Sequence, residues 1–359
     1  MMQISPETQL FIREHSSDDV RVLALQAKKY PDIDMPTAIT QIAGRKVAAE
    51  KIPSWWEIEK IWYPKHLSLE QCSSEITARY KARLLQGDSL TDLTGGFGID
   101  CSFLATGFKS ATYVERQEEL CEIAAHNFPV LNLNHINIKN EDGVTYLQVM
   151  SPVDCLFLDP ARRNEHGGKT VAISDCEPNV AELEELLLQK ANRVMIKLSP
   201  MLDLSLALKE LKQTQEVHIL SVNNECKELL ILLGQTSPAE ISIHCVNLFT
   251  KGTQKEQHFV FTREQEQCSE CTYTDSLETY LYEPNASLLK AGAFRSIAAA
   301  YPVRKLHPNS HLYTSDTFIE NFPGRIFRIV NQCSFNKKEV KENLADLKKA
   351  NVTVRNFPA

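Results

Sequence analysis

A glycine-rich turn between an apolar strand and a helix limits most strongly which folds are open to this chain. An apolar run ends at Asp92, the glycines Gly95, Gly96 and Gly98 follow at once, and an amphipathic segment begins after Ile99. Glycines at such a turn let the backbone approach a ligand where a side chain would leave no room. The pattern predicts a strand, a tight turn and a helix start, with a nucleotide-like ligand over the turn.

Short apolar segments alternate with helical ones from residue 76 to residue 235, which predicts crossover units and a mainly parallel sheet. The predicted strands are 89–93, 110–114, 136–139, 155–158, 193–197, 216–222 and 228–233. The last two lie too close together for a helical crossover, so we expect an antiparallel hairpin around residues 223–226. The fold class is therefore α/β, with a Rossmann-like sheet that ends in this hairpin.

The segments on either side of this region show different patterns. Apolar residues at three- and four-residue steps predict a helical domain over residues 1–75. Within it, the adjacent Trp55 and Trp56 either anchor helices on the next domain or form part of a substrate surface. After Gly234, the segments 240–247 and 257–262 read as strands of a small α+β unit.

Composition sets the broad class of the protein. The 359 residues are 43% hydrophobic, and no apolar run approaches the roughly 20 residues that span a bilayer. The first residues show neither a basic nor an apolar signal segment, so we expect a cytoplasmic protein. The ten cysteines are spread along the chain, several of them in apolar contexts, and we expect them to be reduced and structural.

Charge is distributed unevenly along the chain. The net charge is -7, which argues against a protein that coats nucleic acid. From Glu283 to Ala359, however, twelve Lys or Arg stand against six Asp or Glu. Such a basic segment on an acidic body is expected if only that segment touches phosphates, although a solvated basic face would give the same count.

The motifs of residues 92–159 resemble those of class I S-adenosylmethionine-dependent methyltransferases. Asp92, Thr94, Gly96 and Gly98 occupy the key positions of that family's first motif, with Gly95 between them, and Thr94 replaces a more frequent glycine or small apolar residue. The resemblance implies that S-adenosyl-L-methionine is the cofactor and that these residues bind it. A glycine-rich turn alone would fit dinucleotide enzymes as well.

Acids after the second and third strands extend this resemblance. Glu115 closes the second strand, 23 residues after Asp92, where a carboxylate can accept both ribose hydroxyl protons of a bound adenosine. Its alternative roles are a surface acid or a helix cap. Asp142 and Gly143 follow the third strand, where the family places an acid against the adenine amino group; a turn residue is the alternative for Asp142.

The segment after the fourth strand bears on the reaction type. Amino-directed methyltransferases carry Asp or Asn, two prolines and an aromatic residue there, and the acid and carbonyl groups orient the target amine. Asp159 and Pro160 match, whereas Ala161 and Arg162 depart from that pattern. The resemblance implies catalytic roles for Asp159, Pro160 and Arg162. Guanidinium groups stack on bases or bind phosphate, so Arg162 and Arg163 are also candidates for holding substrate.

A related family that methylates uracil at carbon 5 offers a rival mechanism, in which a cysteine adds covalently to the ring. The corresponding segment here, residues 197–200, lacks the cysteine, and only Cys226 in the hairpin loop could replace it.

Two further groups of residues are weaker candidates. Gln71, Ser73 and Glu75 resemble the segment that borders the methyl donor in some guanosine amino methyltransferases, although a helix cap explains them as well. Cys268 and Cys271 form a single CxxC pair without further ligands at zinc spacing, so no metal is expected.

Over nearly its full length the chain resembles a bacterial group of class I methyltransferases with a C-terminal THUMP-like domain. This resemblance implies a methyltransferase domain over 76–235, a ferredoxin-like unit over 236–281 and a THUMP-like domain over 282–359. It also implies RNA (tRNA or rRNA) as substrate, methylated at an exocyclic amine such as guanine N2. The alternatives are methylation of a small molecule or protein side chain, and a non-catalytic RNA-binding protein that retains the fold.

Overall fold

The structure is a computed structural model, and it describes residues 4–162, 172–236, 238–334, 336–345 and 349–351. The chain divides into two compact units. The first comprises Met1–Gln215 and Leu230–Ser237, and the second comprises Glu216–Leu229 and Pro238–Ala359. No helix in the described part of the chain is long and apolar enough to cross a membrane.

The chain begins with helices, as its spacing predicts. They are α1 (Pro6–Glu14), α2 (Val20–Leu25), α3 (Met35–Lys51), α4 (Pro53–Trp56), α5 (His66–Gln71) and α6 (Glu75–Ala82). The side chain of Asp34 accepts a hydrogen bond from the Thr37 backbone N–H and so caps α3, which carries a proline in its first turn. Trp55 is 2% exposed and packs edge-on against Phe97, with ring centroids 5.2 Å apart. The anchoring alternative thus fits Trp55, whereas Trp56 is 42% exposed.

Strands and helices then alternate. In chain order they are β1 (Ser89–Asp92), α7 (Ile99–Ala105), β2 (Ser110–Glu115), α8 (Glu118–Val130), β3 (Ile136–Asn140), α9 (Gly143–Val149), β4 (Val153–Leu158), β5 (Ala161–Arg162), β6 (Cys176–Glu177), α10 (Val180–Lys190), β7 (Ala191–Leu198), α11 (Leu204–Glu210), β8 (Thr214–Val222) and β9 (Glu225–Gly234). All seven predicted strands of this region are present.

The remaining elements follow after residue 241. They are β10 (Ser242–Leu248), β11 (Glu256–Thr262), α12 (Arg263–Cys268), β12 (Tyr280–Pro284), α13 (Ala286–Ala291), α14 (Arg295–Ala300), β13 (Arg304–His307), β14 (Ser310–Ser315), β15 (Gly324–Arg328) and α15 (Lys337–Asn343).

Nine strands form the main sheet, in the order β11-β10-β8-β9-β7-β4-β1-β2-β3. Strands β3, β2, β1, β4 and β7 are parallel neighbours, and Asp92 is paired with Tyr113 on one side and Phe157 on the other. The central strands are nearly continuous apolar runs, as expected of parallel strands covered on both faces. Because these strands are parallel, their carboxyl ends lie at one edge of the sheet, where Asp92, Glu115 and Leu158 stand.

The predicted hairpin is confirmed. Strands β8 and β9 are neighbours in the sheet, and only Asn223 and Asn224 separate them. Both asparagines have positive φ angles, 49° and 68°, the backbone that a two-residue type I′ turn requires. Asparagine tolerates this conformation better than other non-glycine residues, so the local sequence dictates the turn.

The prediction that the strands within residues 240–262 belong to a separate small unit is wrong. Strand β10 pairs in parallel with β8 over Ser242–Leu248, and β11 pairs antiparallel with β10, so both extend the main sheet. The backbone groups on one side of β8 would otherwise stand unpaired, and burial of Ile243, Cys245 and Val246 accompanies this pairing. A strand's partner is set by such long-range contacts, which the local pattern does not contain.

A second, antiparallel sheet has the strand order β13-β14-β12-β15. Its core includes the buried side chains of Tyr282, Leu288, Ile297, Tyr313 and Phe322. The Tyr282 hydroxyl donates to the Thr317 carbonyl at 2.6 Å, so this buried polar group is satisfied. Tyr282, where the sequence predicts a domain boundary, lies inside β12.

Candidate active site

The glycine turn joins β1 to α7 in the predicted order. Gly96 and Gly98 have φ angles of 55° and 88°, and Gly98 directly precedes the first residue of α7. A Cβ atom built on Gly95 would lie 2.2 Å from the Tyr113 ring, so a side chain there would displace the aromatic group beneath the turn. The turn therefore requires glycine for two reasons, left-handed backbone at Gly96 and Gly98 and close packing at Gly95.

Glu115 holds the turn against the end of β2. Its Oε2 atom accepts a hydrogen bond from the Gly96 N–H at 2.9 Å, and its Oε1 atom accepts one from the Gln117 N–H at 2.8 Å. The residue is 8% exposed. Each carboxylate oxygen has a second lone pair, so these bonds leave Glu115 able to accept hydroxyl protons as well. Its role toward a ribose stays a prediction.

Asp92 presents an unsatisfied oxygen at the start of the turn. Its Oδ1 atom accepts from the Thr94 N–H at 3.0 Å, whereas Oδ2 is buried without a hydrogen-bond partner among the described residues. Burial raises the pKa of Asp92 well above its usual value, and the nearby Asp100, Asp159 and Glu115 act in the same direction. Buried polar atoms normally have partners, so a ligand donor that reaches Oδ2 would relieve this cost.

Thr94, the departure from the family's first motif, links that motif to Asp159. Its hydroxyl oxygen accepts a hydrogen bond from the Asp159 backbone N–H at 2.6 Å. A glycine at position 94 could not make this bond. The threonine therefore fixes the backbone after β4 against the turn after β1.

Lys197, from the end of β7, contacts the Asp159 carboxylate. Its Nζ atom forms a salt bridge with Asp159 Oδ2, and the lysine side chain is 10% exposed while that of Asp159 is 36% exposed. Burial of Asp159 among protein groups raises its pKa, and the Lys197 ammonium opposes that rise. The contact brings the ends of β4 and β7 together around one carboxyl group.

Behind this pair lies a second, deeper one. The Lys81 Nζ atom is 2.9 Å from Asp100 Oδ1, and the side chain of Lys81 is 0% exposed. Ser73 donates to Asp100 Oδ2 at 2.7 Å and accepts from Lys81 Nζ at the same distance. Asp100 Oδ2 lies 3.7 Å from Lys197 Nζ, which joins the two pairs. Two lysines and two aspartates thus form one network, which is buried apart from the partly exposed Asp159 and has formal charges that balance.

The electrostatics of Asp100 follow from this network. Burial acts to raise its pKa, but the ammonium groups of Lys81 and Lys197 outweigh burial and hold the pKa below its usual value. Sequence reasoning missed Lys81, Asp100 and Lys197 as site residues. Asp100 stands within the glycine-rich segment, which was a usable signal, whereas nothing local distinguishes a buried lysine from a solvated one.

The other predicted site residues have diverse surroundings. Ser73 belongs to the buried network, Glu75 accepts from the Ser54 N–H at 2.8 Å and from Arg79, and Gln71 is exposed at the end of α5. Asp142 caps α9, because its Oδ1 atom accepts from the Val144 and Thr145 N–H groups at 3.0 Å each. Their predicted roles toward cofactor and substrate stay predictions.

Residues after β4 are described only in part. Pro160 is buried, and Arg162 lies in the two-residue strand β5, which pairs with β6. Arg163 lies outside the described residues.

Gly143, at the start of α9, packs closely against the end of β1. A Cβ on Gly143 would lie 2.1 Å from the Leu93 carbonyl oxygen, so glycine permits the start of α9 to approach the end of β1.

Cys226, the candidate for a covalent mechanism, and the CxxC pair Cys268 and Cys271 have different surroundings. Burial raises the pKa of the Cys226 thiol to about 11, so little of it is the nucleophilic thiolate near neutral pH, which disfavours the covalent mechanism. Cys268 is exposed and Cys271 is partly buried, and both are free thiols.

Comparison with solved structures decides the family. A presumed methyltransferase from Porphyromonas gingivalis W83 is 34% identical, with a TM-score of 0.86, and the match covers 100% of this chain and 90% of that one. The chain belongs to this methyltransferase family. Models of two domain families match the C-terminal part of the chain, a ferredoxin-like domain over residues 280–323 and a THUMP-like domain over residues 324–359. The ferredoxin-like match begins at residue 280, so all but two of its residues lie after the segment 236–281 that the sequence suggested for it.

Other solved structures match with lower TM-scores and cover smaller parts of the chain. An rRNA methylase from Streptococcus thermophilus is 15% identical, covers 44% of this methyltransferase and 93% of its own chain, and gives a TM-score of 0.32. A presumed methyltransferase from Streptococcus mutans in complex with SAH is 14% identical, covers 45% and 96% of the two chains, and gives the same TM-score. Comparison with curated proteins gives no match.

Proposed function

We propose that this methyltransferase transfers a methyl group from S-adenosyl-L-methionine to an exocyclic amine of RNA, such as guanine N2 of tRNA or rRNA, in the cytoplasm. The observation that carries the proposal is the meeting of the glycine turn, Glu115 and Asp159 at one edge of the sheet. Ligands of open parallel sheets bind at the carboxyl ends of the strands, and this edge also carries the orphaned Asp92 oxygen.

The residues of this edge fit the proposed cofactor. A Cβ on Gly96 would meet no atom closer than 3.8 Å, so the turn is open to a ligand at that residue, and Glu115 offers acceptor lone pairs for ribose hydroxyls. The Glu115 carboxylate and the unpartnered Asp92 oxygen offer hydrogen-bond acceptors at this edge, which suits a donor with a positive amino group. When bound, S-adenosyl-L-methionine supplies a methyl group on a sulfonium that is already a good leaving group.

The chain's own contribution is then positioning. Asp159 accepts hydrogen bonds from the target amine and orients its lone pair, and the buried Pro160 holds the backbone that follows. Lys197 favours the ionised form of Asp159, which is the better acceptor, and Thr94 fixes the aspartate backbone. After transfer, Asp159 can take the proton released by the amine.

Support for RNA comes from the C-terminal segment. The THUMP-like match covers residues 324–359, where Arg325, Arg328, Lys337, Lys338 and Lys341 are among the described residues. Clustered lysines and arginines give affinity for phosphates that falls with rising salt. A small-molecule methyltransferase has no need of such a segment, and it would show no RNA affinity.

Mass spectrometry of tRNA and rRNA nucleosides from a deletion strain tests this function most directly. We expect one methylated nucleoside, an N-methylated base, to disappear and to return when the gene is restored. A full set of unchanged methylated nucleosides would contradict the RNA assignment and favour the small-molecule alternative.

Replacement of Glu115 by alanine is expected to weaken S-adenosyl-L-methionine binding about tenfold or more, since a charge-assisted hydrogen bond and the Gly96 anchor are both lost. Isothermal titration calorimetry measures the dissociation constant. The exposed Glu118→Ala, at the start of α8, is the matched control and should bind as the parent does. Equal affinity of the Glu115 variant and the parent would remove Glu115 from the cofactor site.

Replacement of Lys197 by methionine should shift the acid limb of the pH–activity profile to higher pH. The Lys197 ammonium lowers the pKa of Asp159, so its removal raises that pKa and the ionised acceptor is lost at a higher pH as the pH falls. The ratio of kcat at alkaline pH to kcat at acid pH therefore rises. The exposed Lys209→Met is the control. A uniform fall in kcat with an unshifted profile would show that Lys197 does not act through Asp159.

A further inference from the structure

Three adjacent strands of the second unit carry histidines on one face. His218 lies on β8 and is paired directly with His244 on the parallel strand β10. On β11, His258 is paired with Val246, two residues from His244. Paired residues and residues two apart point to the same face of a sheet, so the three imidazoles and Glu216 share that face.

The side chains of this cluster are in mutual contact. The His218 and His244 rings are stacked with centroids 4.2 Å apart. His218 Nε2 is 3.2 Å from Glu216 Oε2, and His244 Nδ1 is 3.1 Å from His258 Nε2. One ligand atom each from Glu216, His218 and His244 lies within 4.8 Å of the others. Three metal-ligating side chains thus converge on one small volume, and His258 lies beside His244.

The cluster is buried on one side and reachable from solvent on the other. His218 is 2% exposed and His244 is partly buried, whereas His258 is exposed and gives access from solvent. Imidazole nitrogens and carboxylate oxygens are both common ligands of divalent metals.

A hydrogen-bonded histidine ladder is the simplest alternative account of these contacts. It explains each pair separately, but not why ligand atoms of Glu216, His218 and His244 all lie within 4.8 Å of one another. Two histidines and a carboxylate are a recurrent donor set for zinc and other divalent transition metals.

We propose that Glu216, His218 and His244 bind a divalent transition-metal ion of the zinc class, with His258 beside them in reach of a fourth coordination position. Zinc bonds of about 2.0–2.2 Å place neighbouring ligand atoms about 3.4 Å apart in a tetrahedron. The distance from Glu216 Oε2 to His218 Nε2 already matches this spacing. Side-chain rotations that move the other ligand atoms by about 1–2 Å would close the wider spacings. Such an ion would join two strands of the sheet, independently of methyl transfer.

Metal titration of the full-length protein tests this site. A Cys268→Ser/Cys271→Ser parent, stripped of metal with a chelator, removes the CxxC pair as a competing zinc ligand. Calorimetry with ZnCl₂ should show one ion bound per chain. His218→Ala and His244→Ala should each weaken binding about 100-fold or more, since loss of a direct ligand exceeds the effect of losing an outer-shell partner. His126→Ala, a histidine stacked on Trp62, is the control and should leave zinc affinity unchanged.

Cobalt substitution in the same parent gives a readout that needs no further variant. Bound Co²⁺ should show visible d–d bands of nitrogen and oxygen ligation without a thiolate charge-transfer band. Absence of zinc binding would overturn the proposal. So would binding that survives both histidine replacements, or a Co²⁺ spectrum with thiolate ligation. None of these outcomes bears on S-adenosyl-L-methionine binding, so failure here is distinct from failure of the proposed function.

Discussion

Replacement of Asp159 by alanine is expected to slow methyl transfer by about 10²–10³-fold, because the carboxylate that orients the amine and takes its proton is lost. Asp159→Asn keeps an acceptor oxygen but has no charge, so its rate should lie between those of the parent and the alanine variant. The assay follows tritiated methyl transfer from S-adenosyl-L-methionine into RNA taken from the deletion strain.

Cofactor binding separates this effect from general damage to the site. Asp159→Ala should bind S-adenosyl-L-methionine within a few-fold of the parent, because its expected partner is the amine and not the methyl donor. Asp88→Ala is the matched control; this exposed aspartate precedes β1, at the opposite edge of the sheet. An alanine variant as fast as the parent would exclude Asp159 from catalysis and leave the reaction centre unassigned.

Replacement of Lys81 by methionine is expected to lower the free energy of unfolding of the first unit by about 3–5 kcal/mol, the usual cost of leaving one partner of a buried ion pair uncompensated. Lys81 is fully buried, and its ammonium contacts both Asp100 and Ser73. Without it, Asp100 keeps only the Ser73 hydroxyl and the more distant Lys197 among the contacts described above.

Urea unfolding followed by tryptophan fluorescence measures this loss in the right part of the molecule, since all three tryptophans, Trp55, Trp56 and Trp62, lie in the first unit. The control Lys109→Met removes an exposed pair with Asp88 and should leave the transition unchanged. The double variant Lys81→Met/Asp100→Leu should recover much of the loss, because it leaves neither charge of the pair behind. A double variant as unstable as Lys81→Met alone would show that the network's charges do not determine stability.

Local signals predicted the parts of the fold that local physics controls. The helical spacing, the seven strands, the glycine turn and the Asn223–Asn224 hairpin all depend on residues close in sequence, and each is present. The pairing of β10 with β8 was missed because a strand's partner depends on which edge is available, not on its own residues.

The residues of the candidate site also fall into those that the sequence indicates and those that it does not. Asp92, Glu115 and Asp159 could be selected from sequence because each follows a recognisable strand, and parallel strands bring such ends to one edge. Lys81 and Lys197 could not, because a lysine's burial depends on a carboxylate supplied by a distant segment.

The amino-acid sequence by itself thus determined the order of strands and helices and the turn where a cofactor would bind, since periodicity and glycine conformation act over a few residues. Only the tertiary structure decided which charges meet. Lys81, Asp100, Lys197 and Asp159 come from four separate segments, and the cost of burying each charge is offset only when folding places its partner beside it.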